Sequence, residues 1–242
     1  MSPQYRRHPA RLRVRGVSMV EFTIVFPIAV LFVMGLIQTG FIYMAKNTVN
    51  HATFLAARAG SMHNASEKVM TNELVRALTP FYQDSTNAND MTRIGKAYML
   101  AVAEQKVAPW GVKLERLSPD ANTFKDFGVK DPVSKVTYIP NDNLEWRSLG
   151  VGGSSKVNIR DANLLKIRVV YGYELKIPLM AGVVKRIMCS GSSAIKAFGD
   201  VSVIDSAYAL SKPELCLRYY MNGRIPIESF AIVEMQSRAE KS

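Results

Sequence analysis

The chain has 242 residues, 48% of them hydrophobic, and a formal net charge of +11. Arg6, Arg7, Arg11, Arg13 and Arg15 all precede Gly16, and taking those five charges away leaves +6, spread thinly over the rest. That distribution argues against a nucleic-acid partner, which needs basic side chains gathered on one face of a folded domain. The length fits one membrane helix plus a globular domain of about 180 residues.

In chain order, residues 1–16 read as a short basic leader with no packing capacity of its own. From Phe22 to Ala45 the chain runs for 24 residues without a charge. As a helix this run reaches about 36 Å, enough to cross a hydrocarbon core of roughly 30 Å with some tilt. A secretory signal has an apolar core of only about 7–15 residues, and a buried core helix of such length would carry a polar face. The run therefore predicts a single membrane-spanning helix, with Pro27 tolerated as bilayer helices tolerate proline. The arginines before it predict a cytoplasmic N-terminus and an exported C-terminal domain by the positive-inside rule.

Glu21 is the first acid in the chain and stands at the mouth of the apolar run. It has two readings. It marks the wet headgroup boundary, or, if a peptidase cuts between Gly16 and Val17, it becomes the fifth residue of a mature chain. In the second case its carboxylate can pair with the terminal ammonium of a neighbouring subunit at the bilayer edge.

Gly16, four further residues and then Glu21-Phe22 resemble the processing site of type IV prepilins. More narrowly, EFTIVFPIAVLFVMGLIQTG, with Pro27 six places after Glu21, followed by AARAG at Ala56 to Gly60, resembles the TadE-like family, minor pilin-like proteins of the tight-adherence (Flp) pilus system. The resemblance implies processing at Gly16 and Val17 by a prepilin peptidase, and assembly through N-terminus pairing at Glu21 and Phe22. It implies other pilins and pilus assembly proteins as partners in a hetero-oligomer at the bacterial inner membrane, with the C-terminal domain periplasmic. It implies an α+β fold: a long N-terminal transmembrane helix continuing into an extracytoplasmic pilin-like domain with an antiparallel sheet. The expected division is leader 1–16, transmembrane helix and extension 17–60, and domain 61–242. The expected function is that of a minor pilin or pseudopilin in pilus assembly, adherence or secretion. The alternative is a single-pass anchored envelope binding protein that never enters a pilus, with an envelope hydrolase a remote third.

Beyond the apolar run, helix-compatible residues continue from Lys46 to Thr79. Ala45, Ala52, Ala56 and Ala59 fall on one helical face, a seam suited to close approach by the chain's own domain or by a neighbouring helix. Gly60 is placed to end or kink the helix, and Asp90 to cap a second one running to about Ala108. Strands are expected at Val112–Leu117 and Val133–Ile139, with long polar loops between Ser118 and Ser155. In LLKIRVVYGYELKI, Leu164–Ile177, apolar and polar residues alternate, predicting a half-buried strand that needs partner strands and a covering helix. A short helix around Leu179–Met188 and strands at Ala194–Ile204 and Ile225–Met235 complete the reading. Cys189 and Cys216 both fall in the exported domain. A disulfide there would close a loop of 27 residues, worth on the order of 3 kcal/mol, and two free buried thiols are the alternative.

Catalytic signals are absent. His51 and His63 are too far apart to share a metal and have no carboxylate at ligand spacing, so neither a metal nor a cofactor is expected. Ser193-Ala-Ile-Lys196 fits Ser-x-x-Lys without its companion motifs, and GVGGSSK at Gly150–Lys156 lacks the Gly-Lys-Ser/Thr ending of a phosphate loop. No enzymatic activity is expected.

Overall fold

The computed structural model describes residues 17–84, 86, 88–107, 110–177, 179–190 and 216–241. The leader, the expected strand at Ala194–Ile204 and the Ser193–Lys196 pattern lie outside these residues. The fold is α+β: a long apolar N-terminal helix followed by a domain of helices and antiparallel sheets.

Helix α1 runs unbroken from Val17 to Met62 with Pro27 inside it. Its first half is exposed; from Gln38 onward one face is buried in the domain core through Ala45, Val49, Ala52, Thr53, Ala56, Ala57 and Gly60. The small-residue seam thus packs on the chain's own sheet and on the next helix, with Ala59 half-buried at its margin. Small side chains matter here because they set how near the helix axis can approach the strands. A Cβ on Gly60 would meet Met70 Sδ at 2.5 Å and Leu165 Cδ2 at 2.9 Å.

The helix does not continue to Thr79 as its composition suggests. It breaks after Met62, where Asn64 and Ala65 take left-handed conformations with φ of 56° and 57°, and α2 folds back over Glu67–Leu78. Left-handed residues end helices by letting downstream amides reach the last carbonyls, and here the amide of Ala65 reaches Gly60 O at 2.9 Å. The remaining orphan at Ser61 O is taken up from the far end of the chain, by the amides of Gln236 and Ser237 at 3.1 and 2.9 Å. Helix α2 buries Met70, Leu74, Val75 and Leu78, and a 3-10 turn follows at Thr79–Tyr82.

Helix α3 spans Asp90–Val107. Its cap is Asn89, whose side chain accepts from the Thr92 amide at 3.2 Å, not Asp90. Asp90 is the first helical residue and pairs with Arg93 at 2.9 Å.

The main sheet consists of β1 (Lys113–Ser118), β4 (Leu164–Glu174) and β5 (Arg224–Glu234), antiparallel with β4 in the centre. Between β1 and β4 lie α4 (Ala121–Phe127), β2 (Val129–Lys130), β3 (Thr137–Ile139) and α5 (Ile159–Ala162). Of the strand expected at Val133–Ile139 only the last residues are extended. The Asp131 carboxylate accepts from the Val133 and Ser134 amides at 2.8 and 3.1 Å and winds the preceding residues into a turn. A small second sheet joins β2, β3 and the C-terminal β6 (Ala239–Glu240).

On β4, Leu165, Ile167, Val169, Tyr171 and Tyr173 face α1 and are buried, as their alternation predicts. The opposite face is covered too, so the strand is not half-buried: Arg168 and Val170 are inaccessible, and Gly172 lies under Trp110 and Tyr219. This second layer comes from Tyr219, Tyr220 and Ile225, packed with Trp110 and Val184. Burial pushes the Tyr171 and Tyr220 hydroxyls up to about 12, since a phenolate there would lose its hydration.

Helix α6 (Met180–Ser190) follows β4. Cys189 near its end is disulfide-bonded to Cys216, Cα to Cα 5.7 Å, which ties α6 to the segment leading into the 3-10 turn at Tyr220–Asn222.

Candidate functional site

Because Gly60 lies against Leu165 while Gln38 meets Ile177, α1 and β4 run in opposite directions. The start of α1 therefore projects beyond the domain past the end of β4. From Met19 to Ile37 nearly every side chain of this projection is exposed, including Phe22, Ile24, Phe26, Ile28, Leu31, Phe32 and Leu36. These 19 residues reach about 28 Å at 1.5 Å per residue, close to the thickness of a hydrocarbon core. The most apolar window has a mean hydropathy of 2.4 and none of it is buried. A soluble core helix buries such a surface, whereas a single-pass membrane anchor leaves it to lipid.

Gln38 marks the transition. It is the one amide in the charge-free run and it is buried, with Oε1 accepting from the Ile177 amide at 2.9 Å. That bond fixes the height of the domain on the helix, and its polarity inside an apolar run was the signal available in the sequence. Lys46, the first charge after the run, reaches the Glu228 carbonyl on β5.

At the other end, Glu21 lies exposed in the first turns of α1, and among the described residues it has no hydrogen-bond or ion-pair partner. Next to it, Phe22 stacks on Phe26 with centroids 5.0 Å apart. Gly16 lies outside the described residues and Val17 is the first residue of the helix. Glu21 and Phe22 thus share the first turns of a projecting helix, far from Cys189 and Cys216.

The model of the TadE-like protein family matches residues 16–58. Those residues form a TadE-like segment. It starts at Gly16, covers the whole exposed projection, crosses the Gln38 boundary and stops at Arg58, within the core-embedded half of α1. The sheet, α2 to α6 and the disulfide lie beyond the TadE-like segment. Neither a curated protein nor a solved structure gives a match to the chain.

Two clusters in the domain escaped the sequence reading. A row of charges crosses the main sheet: Arg168 on β4 binds Glu228 on β5 through Nε and lies 3.6 Å from Glu115 on β1. Glu104 of α3 forms the second, accepting from Trp110 Nε1 at 2.9 Å and pairing with Arg224 at 2.5 Å, while the Arg224 guanidinium stacks 5.0 Å from the Trp110 ring centre. Both join elements of the scaffold. The glycine loop that superficially suggests a phosphate site is tied down to α4, because Asp126 Oδ2 accepts from the Ser154 and Ser155 amides at 2.9 and 2.6 Å. Those bonds, above all from Ser155, hold the Asp126 carboxyl below its ordinary range. His51 is exposed on α1 and His63 in the turn that follows it, and no group of three metal-ligating side chains occurs among the described residues.

Proposed function

We propose that the chain is a minor pilin-like membrane protein of a bacterial tight-adherence (Flp-type) pilus system, acting in pilus assembly and without enzymatic activity. The observation that supports this reading is the coincidence of the TadE-like match with a projecting apolar helix that continues without a break into the core of its own domain. In such an arrangement the helix holds the protein in the inner membrane, N-terminus cytoplasmic, and the domain stands rigidly on it in the periplasm. The exposed half of α1 is then the surface that meets other pilins and assembly proteins.

Processing by a prepilin peptidase follows from the same reading. Glycine at position 16 lets the peptidase approach the Gly16–Val17 bond closely, so Gly16→Val should leave an uncut, membrane-held precursor. The ratio of precursor to mature chain on a gel reads this directly. Normal cutting of Gly16→Val removes the role given to Gly16, and a wild-type chain that retains Met1 favours the simple anchored binding protein.

A further inference from the structure

The end of the domain nearest the projection is made by α6 and the turn at 216–222, and its height on α1 is known. Ile177 bonds Gln38, α6 touches α1, and Ile42 packs against the Tyr219–Tyr220 cluster. The charge-free run extends on to Ala45, so the last 8 of its residues, Gln38–Ala45, overlap the domain. If the hydrocarbon core begins at Phe22, about 20 helical residues bring it to its far boundary near Phe41, which is the level of this overlap. Tyr43, exposed, stands at the same level, where aromatic side chains favour the interface.

At this level the domain presents apolar side chains outward. Leu179 is 70% exposed, Val183 41%, Leu217 71% and Met221 54%. Leu179 directly precedes α6 and Val183 lies four residues on, its amide bonded to Leu179 O at 3.2 Å, while Val184 turns inward to the Tyr219–Tyr220 cluster. The charge is net positive as well: residues 175–190 and 216–223 contain Lys176, Lys185, Arg186 and Arg218 and no acid, and Lys176 is paired from just outside, with Glu174 of β4 at 3.0 Å. Apolar side chains beside basic ones, without acids, suit the boundary between acyl chains and anionic headgroups.

We propose that α6 and the 216–222 turn form an interfacial foot that lies in the headgroup layer of the membrane crossed by α1. Leu179, Val183, Leu217 and Met221 dip toward the acyl chains, and the net positive charge of the foot faces the lipid phosphates. The foot rests on the membrane reading of α1, and it fixes the tilt of the domain by a second attachment beside the helix.

The test uses the full chain in vesicles of phosphatidylethanolamine and phosphatidylglycerol, with the Cys189–Cys216 disulfide kept oxidised. A nitroxide is placed on single introduced cysteines, Val183→Cys, Met221→Cys, Val30→Cys and Ile232→Cys, and its collisions with oxygen and with a water-soluble nickel chelate are compared. Val30→Cys should report the bilayer interior and Ile232→Cys, at the distant end of β5, should report water. Val183→Cys and Met221→Cys should report an interfacial depth of about 5–10 Å. If these two match Ile232→Cys while Val30→Cys remains in lipid, the foot is wrong and the anchor stands. If Val30→Cys itself reports water, both fall.

Discussion

Glu228→Ala should destabilise the domain by about 3 kcal/mol or more, because it strands the Arg168 guanidinium in the sheet without its nearest counter-charge. Glu228 is 2% exposed and Arg168 is also buried, so water cannot replace the lost bond. Glu115 remains 3.6 Å from Arg168 but is itself part-exposed, which places the loss toward the lower end of the usual range. For a domain of about 180 residues, 3 kcal/mol lowers Tm by about 6–12 °C. Thermal unfolding of the detergent-solubilised full chain measures it. Replacing both partners, Arg168→Met with Glu228→Leu, should recover most of the loss, since apolar side chains of similar volume pack where an ion pair stood. A loss below about 1 kcal/mol for Glu228→Ala would show that the pair is solvated and energetically idle.

Gly172→Val should have an effect of similar size for a steric reason. A Cβ at this position would lie 2.8 Å from the Trp110 carbonyl oxygen, 3.0 Å from Tyr219 Cδ1 and 3.1 Å from Trp110 Cβ. The first of these is backbone, so the clash cannot be relieved by a rotamer change, and overpacking of this kind costs about 1–3 kcal/mol. The displacement would also reach the second cluster. Gly172 O accepts from Arg224 at 2.9 Å and Trp110 bonds Glu104, so pushing Trp110 outward pulls at both. Expected at the upper end, the loss is read by the same thermal unfolding. Gly153→Ala, where a Cβ meets nothing within 4 Å, is the control and should stay within about 0.5 kcal/mol of wild type. If Gly172→Val behaves like that control, the second layer over β4 is loosely packed.

Both predictions concern residues that the sequence presented misleadingly. The alternation in LLKIRVVYGYELKI identified β4 and its α1-facing residues, but it also assigned Arg168 and Gly172 to solvent. Periodicity reports which residues share a face; it cannot report that Tyr219, some 50 positions later in the chain, covers the other one. Glu228 on β5 was equally opaque, since a buried acid is revealed only by its partner. Helix α1 was the most legible element because 24 uncharged residues constrain their environment by length alone. Gly60 placed its end within two residues of Met62 but did not reveal the cap at Ser61, which Gln236 and Ser237 complete from late in the chain. Within the candidate site, Gly16, Glu21 and Phe22 came from motif spacing. The height of the domain, by contrast, depended on the long-range bond between Gln38 and Ile177. Spacing alone left the cysteines undecided, and the fold brings Cys189 and Cys216 together through α6.

If the exposed half of α1 is the assembly surface proposed above, one residue is decisive. Glu21 sits unpartnered among the described residues in the first turns of the helix, where, after cleavage at Gly16, a carboxylate would bind a neighbour's terminal ammonium in a charge-assisted bond that a carboxamide cannot make. Co-purification of the chain with the pilus assembly machinery from solubilised membranes, wild type against Glu21→Gln, tests this most directly. Wild type should be retained, while Glu21→Gln should insert in the membrane at equal level and be lost from the assembly. Retention of Glu21→Gln at wild-type level would contradict the pairing role, and a wild-type chain that purifies alone would contradict the assembly function itself.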